Sequence, residues 1–421
     1  YRAYYLESLR LADASLKKLE GKEVSTALLL AGQAAVFLGD YKLAEERFNR
    51  LIYEHSGTEP AAEGLFRLGL VYLRQKKFTL AVAVFERLLA LPQIDKWDLA
   101  SRYWLWRSLE QMKSDRVKSE AEKLVTRFPL TYYGLRARAE SNDNKLVFDG
   151  GANAAVKVEL WLTEPENQAW ERFQILLRAG WLMEAQAELE ELPSPHSPEE
   201  KIVRAKLRSL AFDHFGAIRL VNEAWEENPE LLKPALFGLS FPFEFVSLVN
   251  KYSKVQGLNS SLVMGLIKQE SSFRPEVMSS SRAAGLMQIV SITARDSAQY
   301  LKYKKKLSFP EDLFDPDLNI QFGSSYLRRM VRAFDGHLPL ALASYNLGIG
   351  RLRKWLSYRE ELGDLSSKTS KDPFEDLWID ELPWAETCFY VKAVLRNFLV
   401  YSILKGEKVE LSGPFWAKAI K

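Results

Sequence analysis

The residue with the clearest chemical potential is Glu270. Asn259 can cap a helix that starts at Ser260 and runs to Phe273, with Pro275 limiting its continuation. Spacing puts Leu262, Leu266 and Phe273 on one apolar face, and Glu270, four residues after Leu266, on its flank. A carboxyl there loses solvation and faces the negative end of the helix dipole, and both effects disfavour its charged form. A carboxyl that keeps its proton at neutrality is what general acid catalysis needs. The alternative is a glutamate at a helix edge paired with a lysine. Eighteen residues on, Gly285-Leu286-Met287-Gln288 sets a glycine that permits close backbone approach beside an amide offering both a donor and an acceptor. Two further short motifs stand at Ala343-Ser344-Tyr345-Asn346-Leu347-Gly348 and at Trp384-Ala385-Glu386-Thr387.

Composition narrows the chemistry. The 421 residues are 47% hydrophobic and 27% charged, which predicts a packed protein of two or three domains. The net charge of +3 is too balanced for a dedicated nucleic-acid binder. From residue 251 onward there are 25 Lys and Arg against 19 Asp and Glu, an excess that fits an anionic polymer as ligand or simply solvated lysines. A single cysteine, Cys388, excludes an internal disulfide and a cysteine-built zinc site. The four histidines, His55, His196, His214 and His337, are scattered and show no metal-binding spacing. No run approaches the roughly 18 apolar residues of a membrane span, and no signal peptide is visible.

Positioning such residues falls to helices. The first 240 residues show successive amphipathic patterns and no period-2 strand. Tyr41, Ala44 and Phe48 recur as Phe78, Ala81 and Phe85 at an offset of 37, and Gly32 recurs as Gly69. An aromatic, a small residue and a large apolar one at this spacing match a tetratricopeptide-like helix hairpin, with weaker echoes at Gly180-Trp181 to Ala185 and at Phe215-Gly216-Ala217. Stacked hairpins of this kind make a superhelix whose concave surface takes a partner or a long substrate, or which serves as a scaffold. Loops are predicted at 141–144, at Gly150-Gly151 and at Pro193 to Pro198, with 141–200 as a candidate linker region. The repeats stop near Phe241-Pro242, predicting an all-α chain of two domains, residues 1–240 and 241–421.

The motifs of the second half together resemble the soluble lytic transglycosylases, whose catalytic domain is similar to goose-type lysozyme. The order Gln-Glu-Ser-x-Phe at Glu270, Gly-Leu-Met-Gln at Gln288, Ala-x-Tyr-Asn-x-Gly at Tyr345 and Glu-Thr-x-x-Tyr-Val at Glu386 is that family's pattern. The stretch from Leu313 to Leu327 fits the family's Pro, Asn-Ile, Gly, Tyr-Leu spacing, and Tyr132-Tyr133-Gly134 looks like a segment of its helical superhelix. The resemblance implies an N-terminal superhelix followed by a lysozyme-like domain acting on peptidoglycan in the periplasm or cell envelope. It implies Glu270 as the single acid and base, Ser279, Gln288, Tyr345 and Asn346 as substrate-binding positions, and Glu386 as a second glutamate of the cleft that is not a nucleophile. It calls for no metal, cofactor or nucleic acid, and leaves the repeats open to a protein partner. One carboxyl suffices if the substrate's own C6 hydroxyl attacks the anomeric carbon, whereas hydrolysis generally needs two. A hydrolytic muramidase of the same fold and a non-catalytic peptidoglycan-binding scaffold are the alternatives.

Several residues depart from the pattern. Arg282 stands where the family usually has glycine, so the turn either accommodates a side chain or places a guanidinium near the cleft. Val290-Ser291 replaces a usual Met-Pro, and residues 358–381 form a long polar stretch, either a lid or, as favoured here, a solvated insertion. Asp315, Asp317 and Asn319 have the first ligand spacings of a calcium loop, but Ile320 and Tyr326 occupy positions that need glycine and glutamate. The basic run Lys302 to Lys306 is expected to be an exposed loop rather than a phosphate or membrane site.

Overall fold

Gly32 and Gly69 show why the hairpins form. A Cβ on Gly32 would lie 2.4 Å from the Phe48 ring, and one on Gly69 2.5 Å from the Phe85 ring, so each glycine is the seat of its repeat's aromatic. Ala44, Ala81, Phe48 and Phe85 are fully buried, as the spacing predicts. The computed structural model describes residues 2–16, 21–92, 95–141, 163–359, 362, 374 and 376–407, and these are helical with no extended strand. The predicted loops at 142–144 and 150–151 lie outside the described residues.

Each hairpin turns on one left-handed residue. Gly39, Lys76 and Lys113 recur at intervals of 37 with φ of 77°, 57° and 51°. After each, the next amide reaches back to close the helix: Asp40 to Ala35, Lys77 to Tyr72 and Ser114 to Leu109, at 2.9–3.0 Å. Lys113 marks a third hairpin, formed by Asp95–Gln111 and Val117–Arg127. Gly180 and Phe212 make the same turn in the later echoes, where Ala185 and Ala217 are fully buried.

The chain divides into two compact units, one of residues 1–146 with 329–396, the other of 147–328 with 397–407. The sequence boundary near residue 241 falls inside the second. In the first unit the repeat helices share a core with Leu338–Leu347, Ile349–Leu356 and Leu377–Glu381. Phe374 and residues 376–381 are not solvated, contrary to expectation. Phe374 stacks on Phe78 and Trp104, and Leu377, Trp378 and Ile379 are buried. Asp376, Asp380 and Glu381 are buried too, because each meets donors from the repeats: Asp376 with Tyr132 and Arg136, Asp380 with Trp104 and Tyr133, Glu381 with Arg74. The remainder of the predicted insertion lies largely outside the described residues.

The second unit holds the hairpins Glu164–Ala179 with Leu182–Glu190 and Pro198–Leu210 with His214–Glu227, then Val246–Gln256, Ser260–Ser271 and Ser291–Tyr300. The helix Ala385–Leu404 is a further correction. It is long and apolar enough to cross a membrane by composition, at a mean hydropathy of 1.2, yet 67% of that window is buried inside the protein, as in a core helix.

Candidate active site

The glutamate is presented by a rigid helix. In Ser260–Ser271, Asn259 accepts the Ser261 amide at 2.7 Å, the predicted cap. Leu262, Val263, Met264, Leu266 and Ile267 are completely buried. Gly265 lets the Asn397–Phe398 backbone approach, since a Cβ there would lie 2.8 Å from the Phe398 nitrogen, and Asn397 donates to the Gly265 carbonyl at 3.0 Å. The helix ends earlier than predicted. Ser272 and Phe273 both take positive φ, 49° and 66°, so Phe273 leaves the helical face although it stays buried. Two consecutive non-glycine residues in that region cost about 1–3 kcal/mol each, a strain stored immediately after Glu270. Glu270 itself is half-buried in the last turn.

The chain then folds into a small knot. Single bridges join Met278 to Ala284 and Ala284 to Ile289. Ser279 accepts the Ala283 amide on its hydroxyl at 3.0 Å and so shapes the turn that carries it. Gln288, at φ 47°, donates its side-chain amide to the carbonyls of Val277 (3.1 Å) and Gly285 (2.9 Å), which fixes the direction of its Oε1. Arg282 occupies the turn at φ 60° with its side chain exposed, so the first of the two readings of this departure describes the backbone. Val290, extended, leads into Ser291–Tyr300.

The residue that holds this knot is Asn319. Fully buried, it accepts from the Met287 amide (2.8 Å) and donates to the Ala284 and Leu313 carbonyls (3.0 and 2.7 Å). A Cβ on Gly285 would lie 2.1 Å from its Nδ2, so that glycine is required by φ of 77° and by space. The spacing that suggests a calcium loop therefore serves the backbone. Asp317 accepts instead from Lys251 and Tyr252 at 2.9 and 2.8 Å. Lys302 and Lys304 to Lys306 are exposed.

The other three residues that the sequence resemblance points to, Tyr345, Asn346 and Glu386, lie in the first compact unit. Tyr345 is 9% exposed in the nearly wholly buried helix Leu338–Leu347, which Gly348 ends at φ 89°. Asn346 follows, and its Oδ1 accepts the Thr387 hydroxyl at 2.7 Å. Glu386 is exposed in the first turn of Ala385–Leu404. Asn319 and Thr387 are the two residues that motif reading passes over as site-builders, although both sit inside matching motifs.

Residues 247–367, which include Glu270, Ser279, Gln288, Asn319, Tyr345 and Asn346 but neither Glu386 nor Thr387, match the transglycosylase SLT domain, and residues 29–96 match a tetratricopeptide repeat. The soluble lytic murein transglycosylase of Escherichia coli K12 is 32% identical over 179 residues, 42% of this chain and 26% of that protein. Residues 247–367 of the chain therefore form a transglycosylase SLT domain. The membrane-bound lytic murein transglycosylase C of Yersinia pestis is 33% identical over 143 residues, 32% of this chain and 40% of that one. The solved 70 kDa soluble lytic transglycosylase of E. coli superposes with a TM-score of 0.71 at 20% identity, covering all of this chain and 63% of its own. The Pseudomonas aeruginosa lytic transglycosylase Slt, solved as an inactive mutant, gives 0.70 at 23% identity over 96% of this chain and 61% of its own. These likenesses establish the all-α fold with repeats preceding the SLT domain. The chain spans less than two thirds of the length of these relatives.

Proposed function

We propose that this protein is a peptidoglycan lytic transglycosylase that cleaves the β-1,4 bond between N-acetylmuramic acid and N-acetylglucosamine without water. Glu270 donates its proton to the glycosidic oxygen as the C1–O bond breaks. The C6 hydroxyl of the same muramyl residue attacks C1, and the Glu270 carboxylate takes the hydroxyl proton, leaving a 1,6-anhydro end and the acid restored. Holding the C6 oxygen against C1 is a positioning effect, so polar groups fixed from behind are worth more than extra acids. Ser279, Gln288, Tyr345 and Asn346 are the proposed substrate contacts and Glu386 a binding or structural group. On this reading residues 1–240 are the repeat domain and 241–421 the catalytic domain, working in the periplasm or cell envelope.

The observation that carries the proposal is the Glu270 carboxyl on a buried, capped helix, followed directly by a knot in which Ser279, Gly285 and Gln288 are each held by backbone hydrogen bonds or close contact. Mass analysis of digested sacculi tests it. Wild-type protein releases anhydro-muropeptides, and Glu270→Gln lowers release by about 10³-fold or more, the order of one lost acid–base group, while remaining folded. Reducing ends in place of anhydro ends would give the reaction to a muramidase. Binding without turnover, unchanged in Glu270→Gln, would leave only a scaffold.

A further inference from the structure

In the first compact unit the polar contacts of Asp380 join the repeats to the helix that carries Glu386. Trp104, on the repeat helix Asp95–Gln111, donates its indole N–H to Asp380 Oδ2 at 2.9 Å, and the Tyr133 hydroxyl donates to the same oxygen. Lys392 donates to Asp380 Oδ1 at 2.6 Å and to the Tyr133 hydroxyl at 3.2 Å. Lys392 lies on Ala385–Leu404, six residues after Glu386 and five after Thr387, whose hydroxyl donates to Asn346. Trp104, Tyr133, Asp380 and Thr387 are all buried. Burying an ion pair is a poor way to gain stability, because apolar side chains of equal volume do as well or better. What a fixed network of directional donors supplies is register.

We propose that Trp104 and Tyr133, residues of the helical repeats, are positioning residues for the Asn346–Glu386 part of the cleft: they hold Asp380, Asp380 holds Lys392, and the helix so fixed presents Glu386 and sets Asn346 through Thr387. The inference rests on the transglycosylase reading for its consequence in catalysis. Its structural content stands apart from that reading. The repeats then act on the reaction through Asp380 and Lys392, and Tyr132-Tyr133-Gly134 gains a reason. Tyr132 and Tyr133 bind Asp376 and Asp380, while a Cβ on Gly134 would collide with the Phe128 carbonyl.

Tyr133→Phe removes one hydroxyl and keeps the ring, whereas Trp104→Phe removes the indole N–H together with part of a buried ring, so thermal unfolding of each beside wild type checks that the full chain stays folded. Hydrogen exchange of the amides at 346–348 and 387–388 rises about tenfold in each variant, relative to amides of the helix Glu59–Arg74. Release of anhydro product from glycan strands falls about tenfold in kcat with KM within twofold. Thr387→Val gives a similar fall, and Tyr133→Phe combined with Thr387→Val is no worse than the poorer single variant, because both act through one placement. Unchanged exchange at those amides, or losses that multiply in the double variant, overturns the proposal. If wild-type protein makes no anhydro product, the transglycosylase reading fails, and the exchange result alone decides whether the repeats position this segment.

Discussion

Asn319→Ala removes the side chain that ties the Ser279–Gln288 knot together. The Met287 amide and the Leu313 carbonyl lose their partner in a fully buried setting, while the Ala284 carbonyl keeps the Ile289 amide at 3.0 Å. Two orphaned buried groups at about 1–3 kcal/mol each give an expected loss of about 3–4 kcal/mol once some water enters. That is a large share of a total of about 5–15 kcal/mol. Asn319→Asp separates charge from size. Ionised, the new carboxylate still accepts from Met287 but faces two carbonyls, whereas protonated it can donate to one of them. Its folded-state pKa is therefore raised, its stability relative to wild type is greater below that pKa, and it is lost as pH rises through it. Urea unfolding of the three proteins at pH 5 and pH 8 measures this, with exchange of the 284–289 amides as a local check. A displacement of Gln288 on the order of 1 Å carries an activity loss of about 10²-fold. Asn319→Ala within about 0.5 kcal/mol of wild type, or an aspartate variant that gains relative to wild type at the higher pH, would show that Asn319 does not hold the knot.

Two further outcomes follow from single positions. Burial alone would raise the Glu381 pKa, but the Arg74 and Arg359 guanidiniums, each 2.9 Å away, prevail and hold it at about 2 against an ordinary 4.5. Its contribution is therefore complete above about pH 4.5 and vanishes as pH falls towards 2, an amount on the order of 3 kcal/mol. Acid denaturation of wild type beside Glu381→Gln should show that the variant lacks this slope, and parallel curves would refute the assignment. At Arg282, glycine relieves the left-handed backbone, so Arg282→Gly is expected to gain up to about 1 kcal/mol in thermal unfolding with activity unchanged. A loss of product release without loss of stability would instead make the guanidinium a substrate contact.

Much of this was legible in the residues. The 37-residue offset located the hairpins because glycine and phenylalanine are the two sides of one contact, and a contact of that size leaves a mark in sequence. The third hairpin escaped because Asp115 stands where Tyr41 and Phe78 stand in the first two, while the turn that defines it is set by backbone at Lys113. Asn259 announced its cap, but nothing in the types of Ser272 and Phe273 announces a left-handed pair, so the helix looked two residues too long. Residues 374–381 looked solvated because acids usually are. Their partners on the repeats lie more than 200 positions away, and pairing over such distances leaves no local pattern. The role of Asn319 in holding the knot is illegible in sequence for a related reason. A ligand spacing records which oxygens are nearby in sequence, and the backbone groups that claim this amide come from 284 and 287 as well as from the neighbouring 313.

On the proposed reading a single carboxyl is enough only if the polar groups around it are firmly held. Glu270, Ser279 and Gln288 belong to the second unit, and their placement is settled by Asn319 and by one buried helix. Tyr345, Asn346 and Glu386 belong to the first, where the repeats contribute buried donors to the same core. A hydrolase with two carboxylates uses the second one to place its water or to act as the nucleophile. An intramolecular attack by C6 has one trajectory, and its rate depends on near-attack geometry to within a fraction of an ångström. Substitutions behind the contacts, at Asn319 in one unit and Tyr133 in the other, should then cost turnover out of proportion to what they cost in binding. If both instead raised KM with kcat intact, the polar groups would be doing no more than holding sugar, and the one-carboxyl mechanism would lose the positioning on which it depends.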